Sequence, residues 1–488
     1  MNHYDLTILG SGPAGKRAAV QAAKLGKSVL LVDDRDRVGG VSVHTGTIPS
    51  KTLRETALNL SGWRERGFYG QSYRVKKEIR GSDLNLRLNQ TLGLEIDALE
   101  HQLARNGVRI ARGHGRFLDA HRLIITSRVG DQVVEQLVTT QRTLIAVGTR
   151  PFHPDNVPFD GETILDSDTI VGLERLPRSL TVVGAGVIGL EYATIFNTLD
   201  VPVTLIEPRA TILDFMDREV VDNLICQLRD RAMILRFGCE VDRVEHDASG
   251  AVRTYLSDGR VVRSDMLLYT AGRMGATAKL GLELCGIDVD HRGRITVNPL
   301  TFQTDHPDIY AAGDVIGFPS LASTSMEQGR IAACHAFGVA LPAKPAHFPF
   351  GIYAVPEISS VGLTEEQACV QGIQYECGIA RLRETSRGHI MGLANGFMKL
   401  IFALDDGRLL GVHIIGEGAT ELIHIGQAVL NLGGTLDYFI ENSFNYPTLA
   451  EAYKVAALDA WNRMAVQAQP VSVAPATIKP AAKVRKAA

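Results

Sequence analysis

The 488-residue chain has no Cys-x-x-Cys pair among its six cysteines and no His/Cys cluster at zinc-ligand spacing. A vicinal redox pair of the thioredoxin kind and a bound metal are therefore not expected. The six thiols, Cys226, Cys239, Cys285, Cys334, Cys369 and Cys377, are expected to be reduced and mostly in the core, where free cysteine behaves as a small apolar residue. No uncharged apolar run approaches the ~20 residues a membrane span requires. A net charge of -3 leaves no basic surplus to attract nucleic acid or an anionic membrane. The first apolar run, Leu6–Leu9, starts too close to the initial methionine to leave room for a secretory signal, so a cytoplasmic location is expected.

What the chain has in quantity is glycine, 48 residues, and two clusters of it repeat one pattern. Gly10-Ser11-Gly12-Pro13-Ala14-Gly15 follows the strand-like Leu6–Leu9 and precedes the helix-like Lys16–Leu25. A second strand, Ser28–Val32, then ends at Asp33, 18 residues past Gly15. The second copy is Gly184-Ala185-Gly186-Val187-Ile188-Gly189, between the strand-like Leu180–Val183 and the helical Leu190–Leu199. Its second strand, Val203–Ile206, ends at Glu207, again 18 residues on. Such glycines permit a tight turn and let backbone approach a pyrophosphate, which then rests on the N–H groups of a helix start. The terminal acid is placed to accept a ribose diol. One G-x-G-x-x-G is often only a glycine-rich turn, but two copies in full context imply two dinucleotides on one chain, and so electron transfer between them.

Between the copies lies Gly39-Gly40-Val41-Ser42-Val43-His44-Thr45-Gly46-Thr47-Ile48-Pro49-Ser50-Lys51. It resembles the active-site helix of the lipoamide dehydrogenase and glutathione reductase family, the pyridine nucleotide-disulfide oxidoreductases, with Ser42 and Thr47 where that family has its redox cysteines. Hydroxyls cannot store electrons as a disulfide, so no dithiol relay is expected. The family's H-P-T-x-x-E signature, which crosses to the partner subunit's flavin, is here Tyr446-Pro447-Thr448-Leu449-Ala450-Glu451. Tyrosine, with a reference pKa of ~10, is a poor proton shuttle at neutral pH. His44 and His424 are left unassigned.

The resemblance implies FAD at the first fingerprint and NAD(H) or NADP(H), as substrates, at the second. It assigns Gly10, Gly12, Gly15, Asp33, Lys51, Gly115, Gly148, Gly313 and Asp314 to FAD, and Gly184, Gly186, Gly189, Glu191, Glu207 and Gly272 to the nicotinamide nucleotide. Asp314, closing Ile309-Tyr310-Ala311-Ala312-Gly313-Asp314, would receive a ribityl hydroxyl; the alternative is an N-cap on the following helix. Ala146–Pro151 and Thr270–Arg273 resemble the segments where the chain passes between domains. Lys51, near flavin N5, and its partner Glu191 are the implied catalytic pair; the alternative is an unlinked surface lysine and helix carboxylate. Glu207 is expected to favour NAD(H), since a 2'-phosphate would face like charge, with Arg209 softening the bias.

The expected fold is α/β: two Rossmann-like dinucleotide-binding domains and a C-terminal α+β dimerisation domain. The expected boundaries are 1–152 and 273–347 for FAD, 153–272 for NAD(P), 348–465 for the interface domain and 466–488 for a disordered tail. Val355–Gly362 and Met398–Phe402 read as interface-domain strands. Over residues 4–465 the chain most resembles the soluble pyridine nucleotide transhydrogenases, through Gly46–Lys51, Phe444–Thr448, Tyr453–Leu458 and Glu421–Ala428. The resemblance implies NADPH-to-NAD hydride exchange through FAD in a homodimer or higher homo-oligomer. The alternatives are an NAD(P)H oxidase or diaphorase and a non-catalytic scaffold.

Overall fold

A computed structural model describes residues 2–340 and 347–468. Its first sheet has seven strands, ordered Arg109–Arg112, Val29–Asp33, Asn2–Leu9, Gln132–Ile145, Arg122–Val129, His114–Asp119, with Ile309–Ala311 added beside Gln132–Ile145. The strands nearest the first glycine loop run parallel. Val29–Asp33 is buried at all five positions, as expected of a parallel sheet covered on both faces. Helix Pro13–Lys24 lies against helix Ala322–Ala336 so closely that a Cβ at Gly329 would stand 2.1 Å from Ala14 O.

The second sheet repeats the plan with five strands, in order Ile234–Phe237, Val203–Glu207, Leu180–Val183, Met266–Tyr269, Ile164–Asp166. Two short antiparallel strands, Thr149–Pro151 and Arg273–Gly275, carry the chain between the two units. Arg273 ties this crossing: Nε donates to Thr149 Oγ1 (2.9 Å), and Nη1 donates to Ser167 Oγ (2.7 Å) and Asp168 Oδ1 (2.9 Å).

The third unit is a five-stranded antiparallel sheet, in order Phe350–Ile352, Ile358–Gly362, Leu409–Ile415, Phe397–Ala403, Tyr375–Arg381. Helix Glu451–Ala468 packs on it where Gly378 offers no side chain; a Cβ there would lie 1.8 Å from Ala456 O. Lys399, 1% exposed, reaches from the fully buried strand Phe397–Ala403 to Asp217, the N-cap of helix Arg218–Asp230. Its Nζ lies 3.1 Å from Asp217 Oδ2 and 3.1 Å from Glu219 Oε2, joining the interface unit to the second nucleotide unit.

Four expectations need correction. The expected single active-site helix is two, Gly40–His44 and Thr47–Leu60, separated at Thr45-Gly46. The strand expected from Val355 begins at Ile358, after Pro356, which has no N–H to give a ladder. The last helix runs to Ala468, so residues 466–468 of the expected tail are helical; 469–488 lie outside the described residues. Among the cysteines only Cys239, Cys334 and Cys377 are buried, whereas Cys226 and Cys369 are exposed. All six are free, and burial pushes the Cys285 thiol up to about 11.

Candidate functional site

A cleft of about 470 Å³ runs along the carboxyl end of the first sheet, where such folds bind ligands. Gly10, Gly12, Asp33, Gly115, Gly148, Gly313 and Asp314 all line it, as do Ser42 and Thr47. Gly15 and Lys51 are not among its lining residues.

The three glycines of the first loop have three separate reasons. Gly10 has φ +101°, and a Cβ there would fall 2.3 Å from Ala146 O. Gly15 faces the strand end, its Cβ position 1.9 Å from Gly10 O. Gly12 differs: a Cβ would meet nothing within 4 Å, so its hydrogen protects space rather than packing. Gly12 is also the N-cap of helix Pro13–Lys24 and gives it no side-chain cap. Open space beside uncapped helix N–H groups is a seat for a pyrophosphate.

The second loop repeats each feature. Gly184 has φ +100°, a Cβ at Gly189 would lie 1.8 Å from Gly184 O, and Gly186, the uncapped N-cap of helix Val187–Thr198, again has nothing within 4 Å. Gly272, at φ +120°, accepts from Phe152 N–H (3.1 Å) at the crossing between units.

The two terminal acids are buried and already bonded to their own loops. Ser11 N–H donates to Asp33 Oδ2 (2.7 Å), the Ser11 hydroxyl donates to the same oxygen, and Arg35 N–H donates to Oδ1 (3.0 Å). Ala185 N–H donates to Glu207 Oε2 (2.7 Å) in the same way. Glu207 Oε1 additionally accepts from Arg209 N–H (3.2 Å) and Arg209 Nε (2.8 Å). Burial alone would raise the Glu207 carboxyl, but the Arg209 and Ala185 bonds outweigh it and hold its pKa below the usual value.

Asp314 opens a single 3-10 turn, Asp314–Ile316, and does not cap helix Ala322–Ala336, whose N-cap is Leu321. Burial raises its pKa, against the opposing pull of Arg273 and a hydrogen bond from Ser325. A half-buried carboxyl on the cleft wall suits a ligand hydroxyl. The cleft thus fits FAD on three counts: an open cradle at Gly12, uncapped helix N–H donors, and two carboxyl groups, Asp33 and Asp314, on its wall.

Lys51 and Glu191, 140 residues apart, meet. Lys51 Nζ donates to Glu191 Oε1 and Oε2, both at 2.7 Å, with side-chain exposures of 26% and 4%. Ser50 Oγ donates to Glu191 Oε2 (2.9 Å), and Tyr353 N–H donates to Oε1 (3.1 Å). Lys51 comes from the first unit, Glu191 from the second and Tyr353 from the third. Sequence reasoning missed Tyr353 and the tie made by Arg273; Arg273 fell within a recognised crossing segment, whereas no signal marked Tyr353.

Tyr446, 71% exposed, holds its hydroxyl 2.6 Å from Ser386 Oγ. His44 Nε2 lies 3.1 Å from the carbonyl oxygens of Arg37 and Val38, and His424 Nδ1 lies 2.9 Å from Gln427 Oε1, so both histidines have local partners. Among the described residues no group of three or more metal-ligating side chains exists, and no helix is long and apolar enough to cross a membrane.

The protein described as soluble pyridine nucleotide transhydrogenase of Mycobacterium tuberculosis is 49% identical over 95% of this chain and 98% of its own length. Those of Marinomonas sp. and Salmonella paratyphi B are 41% and 39% identical, each covering 98% or more of its own length. Crystal-structure LpdA from M. tuberculosis matches at TM-score 0.84 with 27% identity, over 94% of this chain and 99% of that one. The Escherichia coli flavoprotein disulfide reductase RclA matches at 0.83 and 27%, with the same coverage. Residues 4–329 match the pyridine nucleotide-disulphide oxidoreductase family and 348–457 match its dimerisation domain. With both glycine loops and the Lys51–Glu191 pair present, the chain belongs to the pyridine nucleotide-disulphide oxidoreductase family, in the branch of the soluble pyridine nucleotide transhydrogenases.

Proposed function

We propose that this protein exchanges hydride between NADPH and NAD at one site, through bound FAD. One observation carries the reading: the Lys51–Glu191 pair stands intact, while the two positions that would hold a disulfide are Ser42 and Thr47 on the cleft wall. FAD supplies reversible two-electron chemistry when bound. The uncapped helix start behind Gly12 would hold its pyrophosphate, and Asp33 and Asp314 on the same cleft wall would accept from its hydroxyls.

The remaining work belongs to side chains of this protein. Lys51 presents a fixed positive charge, and Glu191 keeps that charge from wandering, so charge developing nearby is stabilised without reorganisation. The helix start behind Gly186 takes a nicotinamide nucleotide's pyrophosphate. Glu207 and Arg209 together explain how one site admits both nucleotides. A ribose 2'-hydroxyl can donate to Glu207, whereas a 2'-phosphate meets the half-exposed Arg209 guanidinium rather than a bare carboxylate. The substrates differ only in that remote phosphate, so exchange is close to thermoneutral and direction follows the pool ratios. One nucleotide must leave before the next enters, giving ping-pong kinetics. The enzyme works as a homodimer in the cytoplasm. The names carried by its relatives support this assignment.

The test is anaerobic stopped-flow: NADPH bleaches the flavin, then a thio-analogue of NAD is added. Immediate recovery of flavin absorbance with appearance of the reduced analogue is expected. Recovery only on admitting oxygen or a quinone would establish the oxidase or diaphorase reading instead.

A further inference from the structure

The Lys51 ammonium has a third neighbour besides Glu191 and Ser50. Its Nζ sits 4.8 Å from the centroid of the Tyr353 ring, whose own backbone N–H donates to Glu191 Oε1 at 3.1 Å. One residue therefore grips both members of the pair: the carboxylate through its backbone, the cation through its π face. Glu191 is otherwise saturated, accepting from Lys51 at both oxygens and from Ser50 Oγ. Lys51 is not. It keeps 26% of its side chain exposed, so an unrestrained ammonium could reorient over the carboxylate. The ring's negative face narrows that freedom by attraction rather than by volume. The ring is itself half-buried, and burial raises its phenol pKa against a hydrogen bond with Thr420, so the hydroxyl stays neutral and does not compete for the cation.

We infer that Tyr353 is a positioning residue for the exchange reaction, its ring face fixing where the Lys51 charge stands. The inference rests on the transhydrogenase reading above. It makes the ring, and not the phenol oxygen, the active part. It also makes the residue act only through Lys51.

The test uses FAD-loaded Tyr353→Leu, Tyr353→Phe, Lys51→Met and the Lys51→Met/Tyr353→Leu double variant. Three quantities are measured: FAD-to-protein ratio, flavin midpoint potential, and the anaerobic rate of flavin bleaching by NADPH. Tyr353→Leu is expected to bleach about 3- to 10-fold more slowly, the range one partly buried cation–π contact spans. Its midpoint potential should move negative, with FAD ratio and NADPH KM held. Tyr353→Phe should recover the lost rate and potential. In the Lys51→Met background, Tyr353→Leu should cost nothing further. A Tyr353→Leu enzyme with wild-type potential and rate overturns the inference, as does a Tyr353→Phe enzyme equally impaired, or additive losses in the double variant. Lost FAD in Tyr353→Leu alone would show a structural role and also overturn it. Failure of NADPH to bleach the wild-type flavin would instead sink the exchange reaction itself.

Discussion

The two glycine loops share a backbone plan down to the hydrogen bond, and they differ in what stands beside the acid. In each, the N–H of the residue after the first glycine donates at 2.7 Å to a carboxylate 22 residues later, Ser11 to Asp33 and Ala185 to Glu207. Asp33 is then completed by the Ser11 hydroxyl and a backbone N–H, both neutral. Glu207 is completed by a guanidinium that remains half exposed. A neutral, enclosed surround suits a ligand that stays. A half-exposed cation beside the acid suits ligands that come and go and differ by a phosphate. The same fold element thus carries two different surrounds for one carboxylate, neutral at Asp33 and cationic at Glu207.

The sharpest way to break that comparison is at the two glycines that pack against nothing. Gly12→Val should leave the fold intact, since its Cβ has open space, yet abolish FAD retention, read as flavin per protein after gel filtration. Gly186→Val should retain flavin and instead raise KM for NADH and NADPH alike. If Gly12→Val keeps its flavin, the first loop does not hold the pyrophosphate. Gly10→Ala or Gly15→Ala would not serve, because their Cβ positions fall 2.3 Å and 1.9 Å from backbone oxygens and the loop itself must move.

The next largest effect lies between the two sites. Lys51→Met should keep FAD but slow bleaching by NADPH by ~10²–10³, the usual loss for one preorganised charge contact. A wild-type rate would remove Lys51 from the chemistry.

Arg209→Met should sharpen the difference between the acids. Loss of one charge-assisted contact to phosphate, ~1.5 kcal/mol, predicts about a tenfold rise in KM for NADPH with little change for NADH. Equal changes for both nucleotides would show that Arg209 does not read the 2'-position.

The smallest expected effect is with pH. The Glu207 carboxyl is depressed below its reference value of 4.5 in the fold. Its contribution to loop order is therefore complete above pH 4.5 and is lost as pH falls through the lower, folded value. Nucleotide KM should stay flat with respect to this group from neutrality down to that range. An apparent pKa above 4.5 that disappears in Glu207→Gln would contradict the sign.

Much of this was readable in the chain because the fingerprint is local. The expected strand Leu180–Val183 has those bounds in the structure, and Val203–Ile206 needed only Glu207 added. Lys51 and Glu191 could be named because each sits at a fixed offset within a motif, although they meet across 140 residues. Tyr353 could not. Its contribution is a backbone N–H and a ring face, which carry no residue spacing, and it arrives from a third unit. Nor could sequence tell that Glu207 and Arg209 are bonded, since two residues apart at a strand end fixes neither side-chain direction. The break at Thr45-Gly46 escaped because a thirteen-residue motif reads as continuous whether or not the helix is.

The meeting of Lys51, Glu191 and Tyr353 also bears on how freely this protein can be recombined. Each side chain is encoded in a different folding unit, so a nucleotide-binding unit transplanted from elsewhere brings its own group to the Glu191 position. A graft lacking a carboxylate there could fold, bind both ligands and still leave Lys51 without its anchor. Modularity in this architecture stops at that junction, because the Lys51–Glu191 pair is assembled from two units and braced by a third.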